Sequence, residues 1–334
     1  MPGRDPMRCA VTGSTGFVGR ELCRELRGAG GYYVAALHRA TSDVGVLEGL
    51  GVDAKIGDVT DPESLRPAFE GCDVVFHIAA LFREAKHGDG AYWAVNVDGT
   101  RNVLDAAIAS GVRKVVHCST AGVHSHIPNP PADESEEYRP GDIYQATKCE
   151  GEKLALEYFR VARIEGCVVR PAMIWGPGDT RTRKLFCGIQ RRRLPVIGTG
   201  RTLLHWVDVR DLAHGFRLAA EKEDNAGEVY ILAGAEPIEL EALFRLIADR
   251  LGTKVLPLRI PAQPVQLLGS VVEALCRPFG IEPPIYRRRV DFFTKTRSFD
   301  GSKARTELGY CPRGSIDDEV AAIIASYREL GWLQ

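Results

Sequence analysis

The sequence has no Cys-x-x-Cys pair, no His-Glu-x-x-His and no cluster of His and Cys at ligand spacing, so no dedicated metal site is expected. Its nine cysteines are scattered from Cys9 to Cys311, and an odd number cannot close into a disulfide framework by itself. A reducing, cytoplasmic setting is the expectation. No window approaches about eighteen uninterrupted apolar residues, which excludes an expected transmembrane helix. The residues before Thr12 include Arg4, Asp5 and Arg8 and lack a long apolar core, so they are not expected to be a signal peptide. An excess of one charge is also missing: 43 basic against 44 acidic side chains leave a formal net charge of -1, too little basicity for a broad nucleic-acid footprint. Repeats and low-complexity tracts are absent.

What is present is the composition of a globular protein, 45% hydrophobic and 26% charged over 334 residues, long enough for two lobes. Residues 8–12 read as a strand, followed by a glycine-rich turn. Phe17, Val18, Leu22 and Leu26 then recur at helical spacing until Gly28, Gly30 and Gly31 stop the helix. Further strands are expected at 32–37, 52–56, 73–78 and 114–118, with a helix carrying Val97, Thr100, Val103, Leu104, Ala107 and Ile108 on one face before the last of them. This alternation predicts an α/β fold, a Rossmann-type doubly wound parallel sheet covered by helices on both faces. After Pro171 the rhythm changes, prolines and arginines become frequent, and strands become sparse. We expect a dinucleotide-binding domain over 7–171, a smaller C-terminal substrate-binding lobe over most of 172–334, and a return of 206–234 to the sheet through a helix at 209–220 and a strand at 228–233. Helices are also expected at 240–251 and 316–330.

Three motifs carry chemistry. In Thr12-Gly13-Ser14-Thr15-Gly16-Phe17-Val18-Gly19 the glycines lie between the first strand and the first helix, where a tight turn lets backbone N–H groups and the helix N-terminus face a diphosphate. A glycine turn that only packs helix on sheet is the plainer alternative. The second strand ends at His38-Arg39, without the acidic residue that would bind a ribose about twenty residues after the glycines. A guanidinium there can pair with a 2′-phosphate, which favours NADP over NAD, although an arginine at a strand end is often merely solvated. Tyr144 and Lys148, four residues apart, would share one helix face. A free phenol titrates near ~10, and a nearby ammonium favours the phenolate, bringing it toward an acid/base range. An amphipathic surface pair is the alternative. Thr120 ends the fifth strand, either as a substrate-oxygen donor or as a cap.

Together, in this order, these motifs make the chain resemble the extended short-chain dehydrogenase/reductase (NAD-dependent epimerase/dehydratase) family from Arg8 to about Tyr310. The resemblance implies that Gly13, Ser14, Thr15, Gly16, Phe17, Val18, Gly19, His38 and Arg39 bind the cofactor. It extends that role to Asp58 and Val59 at the adenine, and to Ala79, Ala80, Asn96, Pro171 and Ile174. Thr120, Tyr144 and Lys148 become the catalytic set, the last two also touching the cofactor. The motif beginning at Arg170 is expected by the nicotinamide, and Trp206 to Ala213 and Ser302 to Tyr310 in the second lobe. Pairing of two copies through the helices carrying Asn96 and Tyr144 is implied as well.

Within that family, dehydratases place Asp-Glu directly after the threonine, whereas Ala121-Gly122 follow here and dehydration loses its acid. Epimerases need only hydride out and back, and Arg181, Arg183, Lys184 and Arg201 offer partners for a nucleotide-sugar diphosphate. Against that stands 261–280, where Val265, Leu268, Val271, Val272, Leu275 and Cys276 make an apolar face ahead of Arg287-Arg288-Arg289. This resembles 3β-hydroxysteroid and sterol dehydrogenases, and Thr120-Ala121-Gly122 resembles dihydroflavonol reductases. Such a helix could line a hydrophobic pocket, rest on a membrane surface, or be plain core. The expected activity is oxidoreduction of a hydrophobic secondary alcohol or ketone. A nucleotide-sugar epimerase and a catalytically silent NADP-binding sensor are the alternatives.

Overall fold

The computed structural model describes residues 5–82, 88–265, 267 and 287–334, apart from the side chains of 287–289. Strands β1 (Met7–Thr12), β2 (Tyr32–His38), β3 (Asp53–Ile56), β4 (Val74–His77), β5 (Lys114–Cys118) and β6 (Glu165–Pro171) alternate with helices. These are α1 (Phe17–Ala29), α2 (Pro62–Phe69), α3 (Asp89–Trp93), α4 (Gly99–Ala109) and α5 (Ile143–Arg160). After β6 come β7 (Met173–Trp175), α6 (Arg183–Gln190), β8 (Val196–Ile197), β9 (Leu203–Leu204), β10 (Trp206–Asp208), α7 (Val209–Glu221) and β11 (Val229–Leu232). The chain continues with β12 (Ile238–Glu239), α8 (Leu240–Arg250) and β13 (Arg259–Ile260). The helices Arg287–Thr294, Ser302–Leu308 and Ile316–Glu329 end it.

The seven-stranded sheet runs β11-β6-β5-β4-β1-β2-β3 with every pairing parallel. Buried residues alternate between its faces with the period of two that strands impose. Cys9, Val11, Val34, Phe76, Val116 and Val169 meet Leu22, Leu26, Leu212 and Phe216 of α1 and α7. Ala10, Leu37, Val75, Val115 and Val168 meet Leu65, Val103, Leu104, Leu154 and Phe159 of α2, α4 and α5. The strand order reverses between β1 and β4, and a crevice opens at their carboxyl ends, as the topology of such sheets requires.

A third core, centred on Trp175, Phe186, Trp206, Phe244, Ile323 and Tyr327, contains none of the seven strands. Its strands are short pairs, β10 with β7, β12 with β9 and β13 with β8. Two differences from the sequence expectations stand out. Strand β6 is not among the expected strands, and Ala304, Leu308 and Tyr310, expected in the second lobe, pack instead into the sheet core beside β11 and α7. Most of the apolar stretch at 261–280 and the Arg287-Arg288-Arg289 side chains lie outside the described residues. Among the described residues no helix is long and apolar enough to cross a membrane, and no group of side chains could hold a metal ion.

Candidate active site

The crevice is a continuous cleft of about 1120 Å³, running from the end of β2 past the glycine turn to the second lobe. Gly13, Thr15, Gly16, Phe17, Val18, Gly19, His38, Arg39, Asp58, Val59, Ala79, Ala80, Pro171 and Ile174 line it, and so do Thr120, Tyr144 and Lys148. Ser14 and Asn96 do not. Ser14 is fully buried, its hydroxyl donating to Leu37 O at 2.7 Å, so it ties the glycine turn to β2 from beneath. Asn96 accepts from Leu81 N at 2.8 Å and donates to Thr147 Oγ1 at 3.0 Å, which pins the loop after β4 to α5. The wide π-type turn Ala94–Asp98 between α3 and α4 carries it there.

The turn has little room for side chains. Gly13 has φ +67°, and a Cβ on it would lie 2.8 Å from Ala79 Cα. A Cβ on Gly19 would lie 2.2 Å from Gly13 O. The start of α1 has no side-chain cap and no acidic residue in its first turn, leaving its N–H groups to an anion in the cleft. Because this cradle is closed to side chains and open to a diphosphate, the residues fit a dinucleotide.

On the sheet side, Lys148 is almost fully buried and its Nζ donates to Cys118 O at 2.6 Å. Burial pulls its ammonium below the usual range, opposed by Cys118 and Glu152. Asp142 caps α5 by accepting from Gln145 N at 2.8 Å, which fixes the helix that presents Tyr144 and Lys148. Thr120 is a cap, as one alternative expected: its Oγ1 accepts from Gly122 N at 3.0 Å. That bond uses an oxygen lone pair and leaves its own O–H to donate. Phe82 meets the Tyr144 ring edge-on with centroids 5.0 Å apart.

Beneath them, Thr100 donates to Asn96 O at 2.8 Å and contacts His77 Nε2 at 3.1 Å, so His77 carries its proton on Nε2. His77 Nδ1 then accepts from Thr12, 3.0 Å away, whose oxygen takes the N–H groups of Ile78 and Ala79. Burial, and then the charge of Lys148, push the His77 imidazole down to about 3, so it is neutral. Its part is to hold the cleft loops. Arg170, which opens the motif expected by the nicotinamide, does not line the cleft as Pro171 beside it does, and pairs instead with buried Glu152.

The match to known proteins follows this architecture. Residues 9–233, more than half of the chain, match the NAD dependent epimerase/dehydratase family. The chain belongs to that family. Relatives within this enzyme family carry out dehydrogenation, reduction, epimerisation and dehydration. A 4-hydroxy-2-methyl-3-oxo-4-farnesyl-3,4-dihydroquinoline-1-oxide ketoreductase from Stigmatella aurantiaca is 34% identical over 92% of this chain and 92% of its own. The 3beta-hydroxysteroid-dehydrogenase/decarboxylase isoform 1 of Arabidopsis thaliana is 30% identical over 96% of this chain and 80% of its own. Among solved structures, a double mutant of the dTDP-glucose 4,6-dehydratase DesIV from Streptomyces venezuelae, with NAD and DAU bound, has a TM-score of 0.77 at 26% identity. That match covers 98% of this chain and 99% of the other.

For a member of an NAD-dependent family, the crowding at the turn makes a direct prediction. Gly19→Ala forces the backbone of Gly13 and Ser14 aside, since the nearest atoms are main chain and cannot rotate away. It is expected to cost about 1–3 kcal/mol of stability and to weaken cofactor binding. Thermal melting and cofactor titration check this; unchanged affinity would mean that the turn does not hold the dinucleotide.

Proposed function

We propose that the protein transfers a hydride between a nicotinamide cofactor and a hydrophobic secondary alcohol or ketone, a steroid, sterol or similar ring compound. The observation that carries this reading is the apolar lining that shares the cleft with Tyr144, namely Phe82 against its ring and Met173, Leu185, Leu194, Trp206 and Phe292. The names of the ketoreductase and steroid dehydrogenase relatives, both concerning hydrophobic ring compounds, support it. In this reading most of residues 172–334 serve to select the substrate.

When bound, the nicotinamide donates or accepts the hydride. Thr120 donates a hydrogen bond to the reacting oxygen. Tyr144 Oη gives that oxygen its proton in reduction and takes it in oxidation. Lys148 holds the nicotinamide ribose and favours the phenolate through its charge. Gly13 to Gly19 hold the diphosphate, and Asp58 and Val59 border the adenine.

Arg39 lines the cleft at the end of β2 and supports a preference for NADP. Arg39→Asp is expected to lower kcat/KM for NADPH by about tenfold or more while sparing NADH. Parallel kinetics with both cofactors check it, and an unchanged ratio removes Arg39 from the 2′-phosphate.

A nucleotide-sugar epimerase is the second reading, favoured by Arg181, Lys184 and Arg297 on the cleft wall. Of its other candidates, Arg183 stacks on Trp332 and neither it nor Arg201 lines the cleft. Nicotinamide absorbance separates the two. Net oxidation of NADPH by a polycyclic ketone supports the first; an isomerised UDP-sugar without net absorbance change, and no reaction with ketones, supports the second.

A further inference from the structure

We propose that Arg181 is the cationic half of the cofactor's diphosphate site, and that it grips the dinucleotide from the second lobe, opposite the glycine turn. This rests on the cofactor that the family implies and not on the identity of the substrate. The turn supplies backbone N–H groups, Thr15 at the cleft wall and roughly half a positive charge at the start of α1. A diphosphate carries about two negative charges, and a guanidinium across the cleft would add charge-assisted hydrogen bonds to those of the turn.

Arg181 is built for that position. Its Nε donates to Asp179 Oδ1 at 2.8 Å, and its Nη2 donates to Asp179 Oδ2 at 3.0 Å and to Ile174 O at 3.1 Å. Asp179 is itself buried and accepts the Tyr327 hydroxyl on its backbone carbonyl, so the fork is anchored to the core of the second lobe. The guanidinium carbon stands 5.0 Å from the ring centroid of Phe17, the first residue of α1, and 5.8 Å from that of Phe82. The group therefore stands beside the glycine turn on one side and the Tyr144 neighbour on the other. Among the described residues Nη1 has no hydrogen-bond acceptor, so two N–H donors remain for a ligand in the cleft that Arg181 lines.

A diphosphate could come from the dinucleotide or from a nucleotide-sugar substrate. Contact with Phe17, a residue of the cofactor turn, assigns it to the dinucleotide. The test is equilibrium binding without substrate, so the outcome does not depend on the proposed ketone. ADP-ribose, NADH, NADPH, AMP and UDP are titrated against the whole protein and against Arg181→Lys and the double variant Asp179→Asn/Arg181→Gln. The double variant avoids a buried unpaired carboxylate, and its melting temperature reports on folding. The expected result is a loss of about tenfold or more for ADP-ribose, NADH and NADPH alike in the double variant. The loss should be intermediate in Arg181→Lys and less than about twofold for AMP. Unchanged ADP-ribose affinity, an equal loss for AMP, or a loss confined to UDP would each overturn the assignment, the last making Arg181 a substrate group.

Discussion

Replacing Tyr144 by phenylalanine is expected to lower turnover by about 10²–10⁴-fold while cofactor affinity and stability stay near those of the unmodified protein. The reason lies in what the substitution leaves alone. The Tyr144 ring packs edge-on against Phe82, and phenylalanine keeps that ring contact. The cap at Asp142 and the Lys148 bond to Cys118 involve other atoms and persist. Only the hydroxyl is lost, the group proposed to give and take the proton. Thr120→Ala gives a useful contrast, because it removes both the hydrogen bond proposed to the substrate oxygen and the cap on Gly122 N. Thr120→Ala should therefore lower stability slightly, by about 0.5–2 kcal/mol, as well as activity. Single-turnover hydride transfer, cofactor titration and melting on both variants test the assignment. Substantial turnover by Tyr144→Phe would remove the tyrosine from the chemistry.

Much of this site was legible in the sequence because its residues sit at ends of strands that advertise themselves. Runs such as Cys9-Ala10-Val11 and Val74-Val75-Phe76 are apolar on both faces, as buried parallel strands must be, and each leads directly into a cleft loop. Orientation was less legible. Ser14 and Asn96 belong to the right motifs yet turn beneath the cleft wall, since a motif fixes the position of a residue and not the direction of its side chain. Strand β6 is hard to read because its apolar core is only Cys167-Val168-Val169, and Arg170 and Pro171 read as a motif. The pairs of the second lobe are two or three residues long, too short to show alternation. Phe82 carries no local signal at all, and Arg181 reads in the sequence only as a partner for a nucleotide-sugar diphosphate; their contacts with Tyr144 and Phe17 bring together segments far apart in the chain.

Glu152 and Arg170 show what such long-range contacts are worth. Both side chains are almost fully buried, and Arg170 donates to Glu152 Oε1 from Nε at 3.0 Å and from Nη2 at 2.6 Å. Glu152 also accepts the hydroxyls of Ser119 and Tyr138, while Arg170 donates to Glu134 O at 2.8 Å. Every strong donor and acceptor of the pair is satisfied, so removing one partner strands a charge where water cannot reach. Arg170→Leu and Glu152→Leu are each expected to cost about 3–5 kcal/mol by chemical denaturation. The double variant should cost less than the sum of the two, because it strands hydroxyls and a carbonyl but no ion. The damage should also reach the active site. Ser119 precedes Thr120, Pro171 follows Arg170, and Glu152 lies one turn beyond Lys148, so the pair joins three segments that line the cleft with Tyr144. Glu152 also raises the Lys148 ammonium against the stronger lowering effect of burial, so its loss should lower that group further. The alkaline limb of the pH–rate profile should then move to lower pH in any Glu152 variant that still folds, Glu152→Gln being the mildest. Additive losses in the double-mutant cycle, or singles that cost less than about 1 kcal/mol, would reduce the pair to ordinary packing.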